Sequence, residues 1–279
     1  MSMITLKPLA EHVGAEVVGV DLGHVTDADV DVLRRGLADY GVLFARDQSL
    51  TPEQHIAFAK RWGAIDINNY FPIDGEYPEI AEVKKSETQQ TNIGGAWHTD
   101  HSYDQIPAMG SILLARETPP SGGDTLFASM TAAFDALSEG MKATLRTMRA
   151  VHSADHIYAA DGIYAQTDQA DLLRGHDLRT RAVHPVVIKH PETGREILYV
   201  NPAFTLYFDG WTREESLPLL QYLYQIPQNE AFQCRLQWAP GSIAIWDNRS
   251  TWHYAMNDYH GHRRLMHRIT LSGCELFGA

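Results

Sequence analysis

The spacing of apolar side chains predicts two helices in the first quarter of the chain. After Thr26, a residue type that caps helices, apolar residues recur at helical intervals between Val30 and Tyr40, and Gly41 then ends the pattern. A second helix is predicted to start at Thr51-Pro52, where a capping residue precedes a proline in the first turn, and to end before Gly63. The N-terminal part of the chain is therefore expected to be rich in helix.

The rest of the chain is predicted to consist mainly of strands, with two more helices among them. The helix candidates run from Ser129 to Met148 and from Thr212 to Tyr224. Val183 to Val200 has the pattern of a hairpin that turns at Glu192-Thr193-Gly194, and Gly241 to Asp247 has the β-branched and aromatic content of a strand. No internal repeat is detectable, so we expect a single domain over residues 1–279.

Two irregular segments interrupt this pattern. Gly75 to Gly95 is polar and rich in turn formers. A long loop of this kind beside a site is commonly a binding or gating element, so we predict a lid here, with surface disorder as the alternative. Ala154 to Asp177 is also irregular, and no role follows from its sequence.

The charge of the chain argues against several classes of partner. The formal net charge is −12 and no run of lysine or arginine occurs, so nucleic acid and anionic membranes are not expected partners. The N-terminus lacks the apolar core of a signal peptide, and no stretch is long and apolar enough to span a membrane. With only two cysteines, the predicted location is the cytoplasm.

The candidate chemistry begins with Trp97-His98-Thr99-Asp100. Side chains two positions apart project from the same face of an extended strand, so His98 and Asp100 could bind one metal ion. His253 could supply a third ligand. Two imidazoles and one carboxylate leave half an octahedron open, as in Fe(II) oxygenases that bind a cosubstrate and dioxygen. A closed zinc site would need four ligands, usually including thiolates, and the two cysteines form no such cluster.

A His-x-Asp tripeptide is by itself a weak signal, because a chain with 14 histidines and 35 acidic residues produces it by chance. Two arginines near the end of the chain add context. In a strand, Arg264, Met266 and Arg268 share one face, while His267 lies on the other. Two arginines inside a small cavity need anions to offset the cost of burying their charge, so this pattern predicts two bound anions.

The chain resembles the taurine dioxygenase and 2,4-dichlorophenoxyacetate dioxygenase family of Fe(II)- and 2-oxoglutarate-dependent oxygenases. The likeness covers nearly the whole chain, and several motifs in the same order and at similar spacing are more specific than any one of them. It is strongest in Trp97-His98-Thr99-Asp100, Gly122-Gly123-Asp124-Thr125, Trp246-Asp247-Asn248-Arg249 and His262-Arg263-Arg264-Leu265-Met266-His267-Arg268.

The resemblance implies a fold, a reaction and roles for these motifs. His98, Asp100 and His253 match the iron ligands of the family, and Thr125 and Arg264 match the residues that hold the distal carboxylate of 2-oxoglutarate. The implied fold is mainly β with flanking helices, around a double-stranded β-helix core, also called a jelly roll or cupin-like core. The implied reaction uses Fe(II), 2-oxoglutarate and O2 to hydroxylate a substrate, with succinate and CO2 as coproducts. A homo-oligomer is also expected from the resemblance.

The substrate is expected to be a small organic anion, such as an alkylsulfonate, an alkyl sulfate or an aryloxyalkanoate. Arg268 matches a family residue near the anionic group of the substrate, and a guanidinium suits a sulfonate, a sulfate or a carboxylate. Asn68 stands where the taurine branch has a histidine, which argues against taurine itself. Tyr70, Phe71 and Phe204 are expected to shape a pocket for a bulkier or aromatic acid.

Two other functions are open at this point. A Zn(II)-dependent hydrolase could use the same three ligands and a metal-bound water, although it gives no reason for Thr125 and Arg264. A non-catalytic barrel could bind 2-oxoglutarate without consuming it.

The other histidines lack a matching partner pattern and are expected to be ordinary polar or core residues. His101 follows Asp100 but is expected to face the other side of the strand. We therefore expect His101 to pack, to support the site or to lie at the surface, and not to bind metal.

Overall fold

A large sheet organises the chain. The computed structural model describes residues 4–72, 75–172 and 180–279. The strands of these residues are β1 (Thr5–Pro8), β2 (Ala15–Val18), β3 (Val42–Ala45), β4 (Ile65–Asp66), β5 (Ala81–Lys85), β6 (Gly110–Glu117), β7 (Thr125–Ser129), β8 (Arg149–His152), β9 (Ala182–Pro185), β10 (Val187–Lys189), β11 (Glu196–Leu198), β12 (Thr205–Phe208), β13 (Gln233–Leu236), β14 (Ile243–Asp247), β15 (Thr251–Ala255) and β16 (Arg264–Leu271). Their helices are α1 (Asp27–Tyr40), α2 (Pro52–Lys60), α3 (Met130–Asp135), α4 (Glu139–Leu145), α5 (Asp155–Tyr158) and α6 (Arg213–Gln225).

The main sheet brings together strands from both ends of the chain. Its order is β1-β2-β3-β14-β6-β16-β4, and β5 pairs with β16 outside this path. The central strands β14, β6 and β16 are antiparallel neighbours, although β6 is far from the other two in sequence. A second sheet has the order β13-β7-β15, a third has the order β12-β8-β9, and β10 and β11 form a hairpin.

The main sheet is buried on both faces. On one face, Ile245 of β14 and Ile269 of β16 join a core that includes Leu37 of α1. On the other face, Met266 of β16 packs in a core with Phe127 of β7. Because successive side chains of a strand point to opposite faces, β14 and β16 each contribute to both cores. The functional residues lie on the second face, between the main sheet and the β13-β7-β15 sheet.

The structure confirms the predicted starts of three helices. Thr26, Thr51 and Thr212 are the N-caps of α1, α2 and α6, and each forms a reciprocal capping box with the third helical residue. Gly41 ends α1 with a φ of 71°, a left-handed conformation that glycine adopts without steric cost.

The prediction of one helix from Ser129 to Met148 is wrong. This stretch forms two short helices, α3 and α4. Ser129 accepts a hydrogen bond from the backbone of the first helix, and Ser138 does so for the second. Ser138 therefore starts a new helix inside a run that otherwise has helical composition.

Two predictions about irregular and paired segments also need correction. The hairpin around Glu192-Thr193-Gly194 is confirmed as β10 and β11, but β9 pairs with β8 and does not belong to it. The predicted lid from Gly75 to Gly95 includes β5, which is paired with β16. Part of the segment from Ala154 to Asp177 lies outside the described residues, and its described part includes α5.

Among the described residues, none of the helices has the length and apolar character needed to cross a membrane.

Candidate metal centre and active site

Two histidines and one aspartate converge in the space between the two sheets. His98, Asp100 and His253 are buried, and their candidate ligand atoms all lie within 4.8 Å of one another. Nε2 of His98 is 3.5 Å from Oδ1 of Asp100, and Nε2 of His253 is 3.5 Å from Oδ2 of the same carboxylate. The structure thus brings together the three side chains predicted as metal ligands, at separations that one metal ion can bridge.

A backbone bridge, and not a continuous strand, brings His98 to His253. The amide of each residue donates to the carbonyl of the other, at 3.1 and 2.8 Å. His253 lies in β15, whose pairing with β7 places it opposite Phe127. The prediction that His98 and Asp100 share one face of an extended strand is wrong, because His98 forms an isolated bridge and Asp100 lies in a turn. Pairing between distant segments, and not a shared strand, brings the candidate ligands together.

The two imidazoles are held in forms suited to metal binding. Nδ1 of His98 is 2.7 Å from the carbonyl oxygen of Ala96, so this nitrogen carries the proton and Nε2 keeps its lone pair. The ring of His253 lies 5.9 Å from that of Phe127 and 5.0 Å from that of Trp246. Burial, reinforced by nearby His98, holds the pKa of His253 well below its usual value. A neutral imidazole is the form that a metal requires.

Arg268 lies against the carboxylate of Asp100, a candidate metal ligand. Its Nη2 donates to Oδ2 of Asp100 at 2.9 Å, and its Nε donates to Oγ of Ser111 at 3.2 Å. Burial tends to raise the pKa of Asp100, but the positive charge of Arg268 and the adjacent histidines outweigh it and hold this pKa well below its usual value. Asp100 is therefore ionised, as a candidate metal ligand has to be, and Arg268 has a partner that the sequence did not predict.

Arg264 is buried on the same face of β16, but it has no such partner. Its Nε is buried and makes no hydrogen bond to any residue of the described ranges. The guanidinium carbon is 5.8 Å from the centre of the Trp238 ring, and Nε1 of Trp238 donates to Oγ1 of Thr125 at 2.9 Å. The hydroxyl proton of Thr125 can thus be donated to another acceptor. Burial lowers the pKa of Arg264, because nothing beside it fully offsets the desolvation of its charge.

These groups line one cavity, here called the inner cavity. The cavity wall includes all three candidate metal ligands, Thr125, Arg264 and Arg268. Asn68, Tyr70 and Phe71 also line it, as predicted for substrate residues. The alternation predicted for β16 is confirmed, since Arg264, Met266 and Arg268 are buried on the inner face and His267 points the other way, towards Arg116.

A second, larger chamber opens beside His98. Its volume is about 490 Å³, and it shares Gly94, His98 and Tyr158 with the inner cavity. Phe204 lines this outer chamber and not the inner cavity, with its ring 6.1 Å from that of His98. The apolar side chain of Ile157 also lines the outer chamber.

Sequence reasoning missed several wall residues. Tyr103 and Tyr158 line the inner cavity and pack with Phe204, at ring distances of 4.7 and 6.2 Å. Tyr158 lies in the segment to which no role was given. It is the last residue of α5, and its side chain lines the site. Val83 reaches the cavity from β5, inside the segment predicted to be a loop.

Comparison with known proteins identifies the family. Residues 5–270 match the family described as taurine catabolism dioxygenase TauD, TfdA family. The chain is 34% identical over 281 residues to the (S)-phenoxypropionate/alpha-ketoglutarate-dioxygenase of Sphingobium herbicidovorans, covering 96% of this chain and 94% of the relative. It is 32% identical over 281 residues to the alkylsulfatase of Acinetobacter baylyi, covering 99% and 87%. Among solved structures, a taurine dioxygenase from Burkholderia xenovorans has a TM-score of 0.84 at 33% identity, covering 99% of this chain and 92% of that one.

The fold and the family match together identify the chain as a 2-oxoglutarate-dependent dioxygenase. 2-Oxoglutarate is the compound called alpha-ketoglutarate in the names of the relatives. The chain belongs to the TauD, TfdA family. The predicted enzyme class and the predicted jelly-roll fold class with flanking helices are confirmed. The relatives differ in the substrates for which they are named, so the choice of substrate has to be argued from the cavity of this chain.

Proposed function

We propose that this chain uses Fe(II), held by His98, Asp100 and His253, to couple the oxidative decarboxylation of 2-oxoglutarate by O2 to the hydroxylation of a small organic anion. The donor set supports iron in this role. Two neutral imidazoles and one ionised carboxylate form the cluster, and no fourth candidate donor joins it among the described residues. Such a set leaves room for a chelating cosubstrate and for dioxygen.

The observation that carries the proposal is the buried guanidinium of Arg264, which has no ion-pair or hydrogen-bond partner among the described residues. A charge without a partner in a low-dielectric interior is costly, so its presence implies an anion that binds there. The distal carboxylate of 2-oxoglutarate fits this site, because a guanidinium fork can hold a carboxylate with two hydrogen bonds. The free hydroxyl proton of Thr125 provides a further donor in the same cavity.

The protein residues have three tasks in this reaction: they hold the metal, orient the cosubstrate and exclude water. Bound iron would supply the redox chemistry that activates dioxygen, and the keto acid would chelate it. Thr125 and Arg264 orient the cosubstrate by its far end, which fixes the end nearer the metal. The rings of Phe127 and Trp246 flank His253 and keep water away from the reacting centre.

The two cavities favour a substrate larger than taurine. Arg268 and Asn68 supply hydrogen-bond donors in the inner wall, which suit a sulfate, sulfonate or carboxylate group. Tyr70, Phe71 and Phe204 belong to one aromatic cluster, in which Tyr70 and Phe71 line the inner cavity and Phe204 lines the outer chamber. We therefore place an alkyl sulfate or an aryloxyalkanoate ahead of a short sulfonate. Hydroxylation of the carbon that carries the sulfate or ether oxygen would give a product that collapses to a carbonyl compound and releases the sulfate or the phenol.

The test is succinate formation with Fe(II), ascorbate, O2 and 2-oxoglutarate. Taurine, hexyl sulfate and (S)-2-phenoxypropionate are compared with a control without substrate. We expect strong stimulation by the sulfate ester or the aryloxy acid and little by taurine. The same assay with His98→Ala and Asp100→Ala should show no substrate-coupled succinate, and full activity in both variants would refute the metal site.

Two further arms separate the competing functions. Hydrolysis of a test ester with Zn(II), and without 2-oxoglutarate, would instead indicate a hydrolase. Binding of 2-oxoglutarate with no Fe(II)-dependent consumption, in the presence or absence of every test anion, would indicate a non-catalytic barrel.

A further inference from the structure

His101 lies in the wall of the inner cavity with an uncommon backbone conformation. Its φ is 61°, in the left-handed region that few residues other than glycine adopt. Its side chain is buried, with 4% exposure, and lines the cavity together with Asp100 and Arg268. The expectation that His101 faces away from Asp100 across a strand is wrong, because the chain turns here.

A chain of hydrogen bonds runs from Asp104 through His101 to Asn68. Nδ1 of His101 is 2.7 Å from Oδ2 of Asp104, so the carboxylate accepts a hydrogen bond from Nδ1–H, and Nε2 of the neutral ring keeps its lone pair. Nε2 of His101 is 3.3 Å from Nδ2 of Asn68, which donates to it. Oδ1 of Asn68 accepts from the backbone amide of Tyr70 at 3.0 Å.

These contacts determine which way the amide of Asn68 points. If the amide were rotated by half a turn, Oδ1 would face the lone pair of His101 and Nδ2 would face the N–H of Tyr70, and both contacts would become repulsive. In the observed orientation, Nδ2 uses one hydrogen for His101. Its second hydrogen is available for an acceptor, and Asn68 lines the cavity.

Arg268 alone offers limited capacity for an anion. One of its nitrogens already donates to Asp100 and another to Ser111. A sulfate, sulfonate or carboxylate has several acceptor oxygens, so a second donor in the same wall would complete its hydrogen bonding. Asn68 is a side chain of this wall with a hydrogen to give.

We propose that Asp104 and His101 are positioning residues that hold Asn68 as a hydrogen-bond donor to an anionic oxygen of the substrate. This inference rests on the proposed function, because it places the substrate in the inner cavity. In this chain, Asn68 is supported by a histidine from position 101. The arrangement selects substrates whose anionic group is rich in oxygen acceptors.

The first test reads the geometry without any turnover. The full chain is labelled with ¹⁵N-histidine and ¹⁵N-asparagine and loaded with diamagnetic Zn(II), and His101 is assigned by comparison with His101→Asn. We expect the neutral form of His101 to be protonated on Nδ1, and Asp104→Ala to abolish its low-field proton signal. A proton on Nε2 in the parent protein would overturn the proposal. Saturating taurine, hexyl sulfate or (S)-2-phenoxypropionate should shift the side-chain NH₂ signals of Asn68, and the absence of a shift with all three would also overturn it.

The second test is a double-mutant cycle in the succinate assay. His101→Asn is chosen because asparagine tolerates the left-handed conformation but is too short to replace the imidazole. We expect Asn68→Ala and His101→Asn each to raise the KM for the stimulating anion about tenfold, with little change in kcat or in the KM for 2-oxoglutarate. The double variant should resemble Asn68→Ala alone, because both changes remove the same contact. A merely structural role of His101 would give additive losses and would overturn the proposal.

Matched controls are available in the chain. Asn69→Ala changes the exposed neighbour of Asn68. The exposed pair of His24 and Asp21 has the same three-residue spacing and an Nδ1 to Oδ2 distance of 2.8 Å, so His24→Asn repeats the substitution away from the site. Both controls should behave like the parent protein.

The outcomes for the two claims are distinguishable. If the parent protein consumes no 2-oxoglutarate with Fe(II), the proposed function fails, and the spectra still decide the positioning of Asn68. If the parent protein turns over an anion but His101→Asn has the parent KM, the proposed function stands and this inference is wrong.

Discussion

Arg268 and Asp100 form a buried ion pair in which Nη2 donates to Oδ2 at 2.9 Å, directly beside the candidate metal. Breaking a buried pair leaves an uncompensated charge, so we expect Arg268→Met to lower the free energy of unfolding of the metal-free protein by about 3 kcal/mol. Added metal should recover part of this loss, because it gives Asp100 a new cationic partner. Urea unfolding with and without metal measures both effects.

Arg263 provides the control for this prediction. It lies one residue before β16 and pairs with Glu117 at 2.9 Å, but both side chains are about half exposed, at 47% and 50%. Exposed pairs contribute little, so Arg263→Met should change the free energy of unfolding by less than about 1 kcal/mol. If Arg268→Met and Arg263→Met lowered the free energy of unfolding equally, the pair of Arg268 and Asp100 would not be buried in solution.

Arg264 should respond in the opposite way to the same substitution. Its buried guanidinium has no ion-pair partner within residues 4–72, 75–172 and 180–279. Arg264→Met therefore removes a desolvation cost and should leave the stability of the metal-free protein unchanged or higher. The KM for 2-oxoglutarate should rise about 10- to 100-fold, as expected for the loss of charge-assisted hydrogen bonds. Unfolding curves and 2-oxoglutarate titrations test the two parts separately. A loss of stability as large as that of Arg268→Met would show that Arg264 has a protein partner.

The contrast between these two arginines shows what the sequence could predict. The two-residue period of a strand was sufficient to place Arg264 and Arg268 on one inner face. It could not distinguish them, because Asp100 comes from a turn far away in sequence and approaches only one of them. Contact between distant segments is a property of the folded chain, and the sequence pattern of β16 does not predict it.

The metal site illustrates the same limit. The ligands were predicted from residue types and from the resemblance, yet the structural reason given for His98 and Asp100 was wrong. A backbone bridge sets the positions of His98 and His253 relative to each other. A periodic sequence pattern cannot reveal a single bridge of this kind. The outer chamber was also not foreseen, because its wall combines α5 with the residues around Phe204.

Asp247 anchors the turn between β14 and β15 that leads to His253. It is wholly buried, accepts from Nε of Arg249 at 2.8 Å, and lies 3.0 Å from Nε2 of His190. Burial tends to raise the pKa of Asp247, but Arg249 and His190 outweigh it and lower this pKa. Asp247→Asn should therefore destabilise the protein by about 3 kcal/mol at neutral pH.

The pH dependence of this loss has a defined sign. A carboxyl whose pKa is lowered by folding contributes stability above its unfolded pKa of about 3.9, and this contribution is lost as the pH falls towards the folded pKa. The difference in unfolding free energy between the parent protein and Asp247→Asn should thus be constant from pH 8 to about pH 5 and shrink below about pH 4. The exposed Asp135, which lies 3.8 Å from Arg195, provides the control through Asp135→Asn. A difference that grew on acidification would contradict the assigned direction of the pKa shift.

The outer chamber should determine the accepted length of the substrate. Ala203 lines it beside Phe204, so Ala203→Trp would fill part of its volume of about 490 Å³. If the tail of the substrate lies there, kcat/KM for hexyl sulfate or (S)-2-phenoxypropionate should fall about tenfold or more, as expected for a steric cost of about 1–3 kcal/mol. Consumption of 2-oxoglutarate without substrate should not change, because the cosubstrate residues line the inner cavity. Ala143→Trp, at an exposed position of α4, controls for the added indole. Parent-like kcat/KM in Ala203→Trp would exclude the outer chamber from substrate binding, and an equal loss of uncoupled turnover would mean that the indole disturbs the metal site instead.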